Sequence, residues 1–445
     1  MIKSVSKYIT AHKLLAADGK YLVALSGGAD SVALLVLLCR MGYNVEAAHC
    51  NFHLRGDESD RDERFVTDLC ARLGIVLHKA HFDTLEYAAL HKQSIELAAR
   101  NLRYSYFEQL RCDIDADGIC VAHHRDDLVE TVLMNIVRGT GIHGMVGIRP
   151  RNGYILRPLL CVGRSDIERF LAEHNQEYVT DSTNLEDDAT RNVFRHHVVP
   201  LLREINPAAV ENIAATARLM TDAETIYNAD IDCCRKDFVV DVGRDGVALR
   251  IMTGRLMQHP APSTVLYELL SVYGFNGVLA SNIVACIIDG NIGRVFHSST
   301  HTAVTCRDFI EVGKKVDNDF APMRLPVVGT YVLHDGGKVR LEIVNRTEAG
   351  ISRSNDIATL DADKVMFPLI LRRIENGDRF RPFGMKGSKL VSDFMTDTKC
   401  SYFEKQSQLV LVGADGVIVW LVGRRTSDVC RVQADTERIL RIIIE

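Results

Sequence analysis

The 445-residue sequence predicts an α/β fold: a doubly wound parallel sheet, then a helical middle domain, then a small α+β domain. Three observations carry that prediction. Short apolar strands alternate with helical segments through the first two hundred residues. Those strands are near-continuously apolar, as strands covered on both faces are. Motifs rich in glycine, histidine and acid fall at strand ends or on the following helix, where such sheets bind ligands.

The elements follow in order. MIKSVSKYITAHKLL spaces Val5, Ile9 and Leu14 as a short amphipathic helix and lacks the apolar core of a secretion signal. YLVAL, from Tyr21, is strand one, and SVALLVLLCRMG is the helix after its glycine turn. NVEAAH, from Asn44, is strand two. ESDRDERFVTDLCARLG then forms a helix with Phe65, Val66, Leu69 and Leu73 on one face. GIVLHKA is strand three, SIELAARNLRYSYFEQL a helix, GICVA (from Gly118) strand four, and DDLVETVLMNIVR a further helix. Beyond about residue 205, PAAVENIAATARLMTDAETIYNADIDCCRKDF reads as one long helix and GFNGVLASNIVACIIDG contains another, in a mixed region. YVLHDGGKVRLEIV is strand and turn, and short strands alternate with basic loops to the end.

Length and pattern divide the chain into residues 1–205, 206–320 and 321–445. The 47% hydrophobic and 25% charged content suits a globular protein with a sizeable core, and no apolar run reaches the roughly 20 residues a membrane span needs. Twelve cysteines without a Cys-x-x-Cys pair read as reduced thiols of a cytoplasmic protein. A net charge of -5 does not announce a nucleic-acid binder. Between Leu371 and Lys405, however, eight Lys/Arg face five acids, an excess of three that fits an RNA-facing surface or a solvated charged face.

Four motifs bear on chemistry. Ser26-Gly27-Gly28-Ala29-Asp30-Ser31 lies between a strand and a helix. Its glycines let the backbone close tightly around a ligand, and its N–H groups with the helix N-terminus make a phosphate cradle. Asp30 is placed to hold Mg²⁺ on the phosphates; the bland alternative is a glycine turn with a polar cap. No G-x-x-x-x-G-K-[ST] occurs, which excludes a Walker-type nucleotidase. GTGIHG, from Gly139, matches G-x-G-x-x-G but follows a helix, so a Rossmann cofactor site is rejected. In His123-His124-Arg125-Asp126-Asp127-Leu128-Val129-Glu130, the carboxylates of Asp127 and Glu130 share a helix face and suit an amine ligand. Adjacent histidines fit zinc poorly, and a dipole-stabilised acidic helix start would explain Asp126 better than Glu130. Arg100 and Arg103, three apart after strand three, can reach phosphates in the cleft.

Together these residues resemble the tRNA(Ile)-lysidine synthetase family of the PP-loop ATP pyrophosphatases, whose fold is adenine nucleotide α-hydrolase-like. The likeness rests on SGGADS, HCNFHLRGDES from His49, ELAARNLRY from Glu96, AHHRDDLVET from Ala122, RGTGIHGMVGI from Arg138, RPLL from Arg157, DSTN from Asp181 and RNVFR from Arg191. LRRIENGDRFRPFGMKGSKLVSDFMTDTK resembles that family's terminal domain. One departure follows Asp397-Thr398-Lys399: members often carry prolines there, whereas this chain has Cys400, Ser401 and Leu409.

The resemblance implies an ATP- and Mg²⁺-dependent ligase. ATP adenylylates the C2 oxygen of the wobble cytidine in a CAU-anticodon tRNA(Ile), and L-lysine then displaces AMP through its side-chain amine. It implies that Ser26, Gly27, Gly28, Ala29, Asp30, Ser31, His49 and Arg103 bind ATP and that Asp30 holds Mg²⁺. Asp30, Arg103 and His123 would be catalytic, and Asp127 and Glu130 would bind lysine. Arg191 and Arg195, spaced for one helix face, join Arg372, Arg379, Arg381, Lys386 and Lys389 as candidate tRNA contacts. The expected protein is cytoplasmic and free of membrane, with a homodimer as one open assembly. Two rivals stand beside it: a tRNA thiolase of the same superfamily, which generally needs paired cysteines, and a nucleotide-binding module without chemistry.

Overall fold

The structure, a computed structural model, describes residues 1–180, 190–244, 246–315, 320–333, 336–347, 350–352 and 354–444. Asp181–Asn184, the DSTN stretch, lies outside them. The chain forms two compact units, Met1–Asn228 and Ala229–Glu445.

In the first unit, α1 (Ile2–Ala11) precedes β1 (Lys20–Ala24), α2 (Ala29–Arg40), β2 (Asn44–Asn51), α3 (Asp57–Leu73) and β3 (Leu77–His81). Next come α4 (Thr84–His91), α5 (Ile95–Asp113), β4 (Gly118–Cys120), α6 (Arg125–Arg138), α7 (Gly141–Met145), β5 (Arg151–Asn152), β6 (Ile155–Leu156) and α8 (Arg164–Glu173). The sheet order is β3-β2-β1-β4-β6-β5. Every pairing is parallel except the short β5–β6 hairpin. The order switches direction at β1, between β2 and β4, and that is where a doubly wound sheet opens a crevice.

The sheet is covered on both faces because its elements have little polar surface to offer water. Val32 to Leu38 of α2 are all buried, packed with Val23, Leu25, Ala47, Val66 and Leu69. On the other face Leu22, Ala48 and Ile119 meet Phe107 and Leu110 of α5. Leu73, expected on the apolar face of α3, is instead exposed at the helix end, where left-handed Gly74 terminates it. The chain then returns through α9 (Thr190–Val193), a π-helical turn at Phe194–Val198 and α10 (Val199–Ile205). Val199 and the start of α11 (Ala209–Phe238) pack on Leu128, Val129 and Val132 of α6. That packing brings the 190–198 segment against the acid-rich helix.

The second unit holds the middle helices that the sequence leads one to expect, including Gly277–Ile288, together with a five-stranded antiparallel sheet that the pattern reading did not place. Its strands run Val239–Arg244, Val247–Met252, Phe309–Lys314, His301–Thr305 and Val295–His297 in spatial order. From Met323 onward, strands form separate sheets around Leu341, Leu360, Leu369, Leu411 and Trp420. The YVLHDGGKVRLEIV segment, expected as strand and turn, contributes to the antiparallel pairing of Gly329–Val332 with Lys338–Asn345. No described helix is long and apolar enough to cross a membrane.

Candidate active site

The loop after β1 is shaped from within. Ser31 is 5% exposed, and its hydroxyl accepts from the N–H groups of Ser26 and Gly27 at 3.2 Å and donates to the Gly28 carbonyl at 3.0 Å. Gly27 turns at φ +98°, a conformation that side chains resist, and a Cβ there would sit 3.3 Å from Val66 Cγ1. Val179 donates its N–H to the Gly27 carbonyl at 2.9 Å and closes the far side. The Ser31 hydroxyl, expected as a phosphate ligand, ties the loop together from within. The first-turn N–H groups of α2 have no intrahelical acceptor and are available to an anion.

This loop borders one cavity of about 900 Å³. Ser26, Gly28, Ala29, Asp30, Ser31, Arg100, Arg103, His123, Asp127, Arg164 and Arg191 all line it, joined by Phe52 from the end of β2 and by Tyr178–Thr180. Residues far apart in sequence thus converge where β1, β2 and β4 end. His49 does not reach this cavity. It is 5% exposed, bonds the Leu25 carbonyl through Nδ1 at 2.9 Å, and borders a smaller adjoining recess of about 80 Å³. Burial holds its pKa below the ordinary histidine value, so the neutral ring donates to that carbonyl and braces the loop from behind.

Asp30 projects from the first turn of α2. One carboxylate oxygen takes Arg164 Nη1 at 2.7 Å; the other, Oδ1, is buried without a hydrogen-bond partner among the described residues. Burial raises the Asp30 pKa against the pull of His124 and Arg164. An orphaned carboxylate oxygen beside a phosphate cradle fits a hard cation such as Mg²⁺, which takes one or two carboxylates plus phosphate oxygens.

His123 and His124 differ sharply. His123 Nδ1 accepts from Arg157 Nε at 3.1 Å, and burial pushes its pKa down to about 4. It is therefore neutral, and because Nδ1 is an acceptor its proton sits on Nε2. His123 enters the cavity as a donor. Arg157 is itself fixed by donating to the Arg149 carbonyl at 2.8 Å. His124 is 4% exposed among three carboxylates: Asp30 at 3.7 Å, Asp127 at 3.6 Å and Asp126 at 3.5 Å. Burial alone would lower its pKa, but the contact with Asp126 and the charges of Asp127 and Asp30 raise it.

The acid pair on α6 is present as spaced. Asp127 Oδ2 accepts the His124 N–H at 2.9 Å, capping the helix, while Oδ1 faces Arg195 Nη2 at 3.3 Å. Glu130, 2% exposed, is held by Arg195 through Nε at 2.8 Å and Nη2 at 3.1 Å, with Arg191 Nε at 3.6 Å. Arg191 and Arg195 do share a face, but in this structure it is turned toward the carboxylates. Asp126 is structural: it takes Arg203 at 2.7 Å and the Arg164 N–H at 2.9 Å.

Arg103 has no carboxylate partner among the described residues; its guanidinium lies 5.2 Å over the Phe52 ring, exposed to the cavity. Arg100 lies 5.2 Å over Tyr104. Cys50 also lines the cavity, but burial pushes its thiol up to about 12, so it offers no thiolate near neutrality. The basic block of the second unit is partly self-neutralised. Arg372 forms a two-pronged pair with Asp378 at 2.8 Å, Arg381 lies 3.4 Å from Asp428, and Lys389 pairs with Asp397. Arg379 reaches only Ser388, and exposed Lys386 has no ion pair among the described residues.

Sequence reasoning missed Arg164 and underused Arg157. Arg157 was signalled by its RPLL motif; Arg164 carries no local signal, because its partner Asp30 is 134 residues away.

Comparison with known proteins agrees with this geometry. Residues 2–202 match the PP-loop domain family, and residues 244–315 match the TilS substrate binding domain. The chain is 46% identical over 442 residues to a tRNA(Ile)-lysidine synthase of Parabacteroides distasonis, covering 99% of each chain. It is 43% identical to the same-named protein of Bacteroides thetaiotaomicron, over 98% of each. With that of Porphyromonas gingivalis strain W83 it shares 38% identity, over 91% of this chain and 90% of the other.

Proposed function

The chain belongs to the tRNA(Ile)-lysidine synthase family, and from that premise we propose that it spends ATP to join L-lysine to the wobble cytidine of a CAU-anticodon tRNA(Ile) in the cytoplasm. One observation carries the reading. A phosphate-cradling helix end, an arginine without a carboxylate partner among the described residues, a neutral histidine donor and an acidic niche open onto a single cavity.

The chemistry follows from those groups. The cytidine oxygen is a poor leaving group and AMP a good one, so adenylylation divides one hard substitution into two easier steps. The first-turn N–H groups of α2 and the glycines bind the triphosphate, and Asp30, whose Oδ1 has no hydrogen-bond partner among the described residues, would hold Mg²⁺ there. That ion would neutralise the departing pyrophosphate. Arg103, lying on Phe52 and unclaimed by an acid among the described residues, balances charge on the transferring adenylyl group. His123 donates its Nε2–H to an α-phosphate oxygen and, with its low pKa, does not act as the base near neutrality. Asp127 and Glu130 receive the lysine's ammonium and orient it; the amine attacks C2 and expels AMP once a carboxylate or water has taken its proton. Residues 206–320 and 321–445 serve RNA recognition, with Arg379 and Lys386 as the cations best placed for phosphates.

The test is incubation with ATP, lysine and unmodified CAU-anticodon tRNA, followed by nucleoside mass analysis. The expected result is a cytidine heavier by one condensed lysine, with AMP and pyrophosphate as coproducts; an unchanged nucleoside pool contradicts it.

A further inference from the structure

The niche assigned to lysine is already filled by the protein. We propose that Arg195 is the gate of the amine subsite: its guanidinium occupies the carboxylates that lysine needs, and docking of RNA phosphate draws it out. The inference rests on the assignment of Asp127 and Glu130 to lysine made above.

The geometry is that of an occupied cation site. Both oxygens of Glu130 are engaged by Arg195, and Asp127 Oδ1 takes its Nη2. The consequence is visible in the cavity wall. Asp127 and Arg191 line the cavity, whereas Glu130 and Arg195 do not. An ammonium group entering from the cavity therefore meets Asp127, and Glu130 lies behind arginine.

Charge makes simple addition costly. Two carboxylates already face two guanidiniums, Arg195 in contact and Arg191 at 3.6 Å. Lysine's ammonium would add a further positive charge to a niche where Glu130 is 2% exposed and His124 already lies 3.6 Å from Asp127. Uncompensated charge in such a place is strongly unfavourable. One guanidinium must leave, and it needs an anion to leave for.

RNA is the anion that this surface fits. Arg195 sits in a segment, Arg191-Asn192-Val193-Phe194-Arg195-His196-His197, that carries two arginines and two histidines and no acid. Its side chain is 34% exposed, and its Nη1 has no hydrogen-bond partner among the described residues, so a phosphate oxygen can be taken before Glu130 is released. The turn that carries it is π-helical, Phe194–Val198, a wide turn that recurs at functional sites. Lysine would thus be admitted when RNA is in place to receive it.

The test is calorimetric titration of L-lysine into the full chain loaded with a non-hydrolysable ATP analogue, with and without CAU-anticodon tRNA. Wild type should bind lysine at least tenfold tighter with RNA. Arg195→Gln should bind lysine at least tenfold tighter than wild type without RNA, and its RNA-dependent gain should shrink below about threefold. A folded Arg195→Gln protein that binds lysine no better than wild type in the absence of RNA overturns the gate. Should Arg195→Gln fail to fold, Arg195→Lys decides, because a single ammonium cannot reproduce the two-pronged grip of the guanidinium on Glu130. At least threefold tighter RNA-free binding is expected, and wild-type binding refutes the idea. Glu130→Gln separates the premise from the gate. If it leaves lysine binding to the RNA complex unchanged, the subsite assignment falls and the gate with it. If it weakens that binding while Arg195→Gln does not tighten the RNA-free one, the gate alone falls.

Discussion

Lowering the pH should leave His123 neutral long after an ordinary histidine has been protonated. Its pKa of about 4, against 6.5 for an unperturbed ring, is set first by burial and is reinforced by Arg157, which donates to its Nδ1. That interval corresponds to roughly 3 kcal/mol of preference for the neutral form in the folded state. The sign is that of a depressed histidine. The unfolded chain takes up this proton below about pH 6.5 and the folded chain does not, so the associated stability is complete above 6.5 and is lost as pH falls toward 4. Histidine-selective ¹⁵N NMR reads both the tautomer and the midpoint, and His123→Gln identifies the signal while keeping an acceptor for Arg157. The expected spectrum shows a proton on Nε2 and a midpoint below pH 5. A midpoint near 6.5, or a proton on Nδ1, refutes the donor role. His124, with its raised pKa, should take up its proton at higher pH than an ordinary histidine in the same spectra.

Further outcomes follow from the same geometry. Asp30→Asn, which can still accept from Arg164, should stay folded but lose about 10²-fold or more in kcat, with the Mg²⁺ requirement shifted to higher concentration in a pyrophosphate-release assay. Gly27→Ala forces a side chain to φ +98° and should raise the KM for ATP, because the strain of roughly 1–3 kcal/mol is relieved by opening the loop. Arg372→Ala should destabilise the second unit by about 2–4 kcal/mol in a denaturant melt, because Asp378 loses its cation and keeps only the Glu375 N–H. Lys386→Ala should leave the melt unchanged and reduce the slope of log K for tRNA against log salt by roughly one phosphate contact.

Much of the fold is legible because burial writes itself into the sequence. Val32 to Leu38 leave no polar face, and a run so apolar must lie inside. Where two periods compete, reading is harder. Val247, Leu249 and Ile251 alternate as a strand does, yet the long helix before them drew the middle region toward helix. Helix α4 was passed over although Asp83 caps it by accepting the Glu86 N–H at 2.9 Å, a spacing visible in the sequence. At the site, SGGADS gives the position of the cradle but not the inward turn of the Ser31 hydroxyl, which depends on loop geometry. The helical spacing of Arg191 and Arg195 is visible; that they point at Glu130 depends on the packing of Val199 against α6, a long-range fact. Asp30–Arg164 is hidden for the same reason.

The account stands on which molecule ATP activates. Incubating the chain with α-phosphate-labelled ATP and CAU-anticodon tRNA, without lysine, should place label on the RNA, and adding lysine should discharge it as AMP. Label that never joins the RNA, or pyrophosphate released with lysine alone, would mean that the amino acid is activated instead and would contradict the central claim.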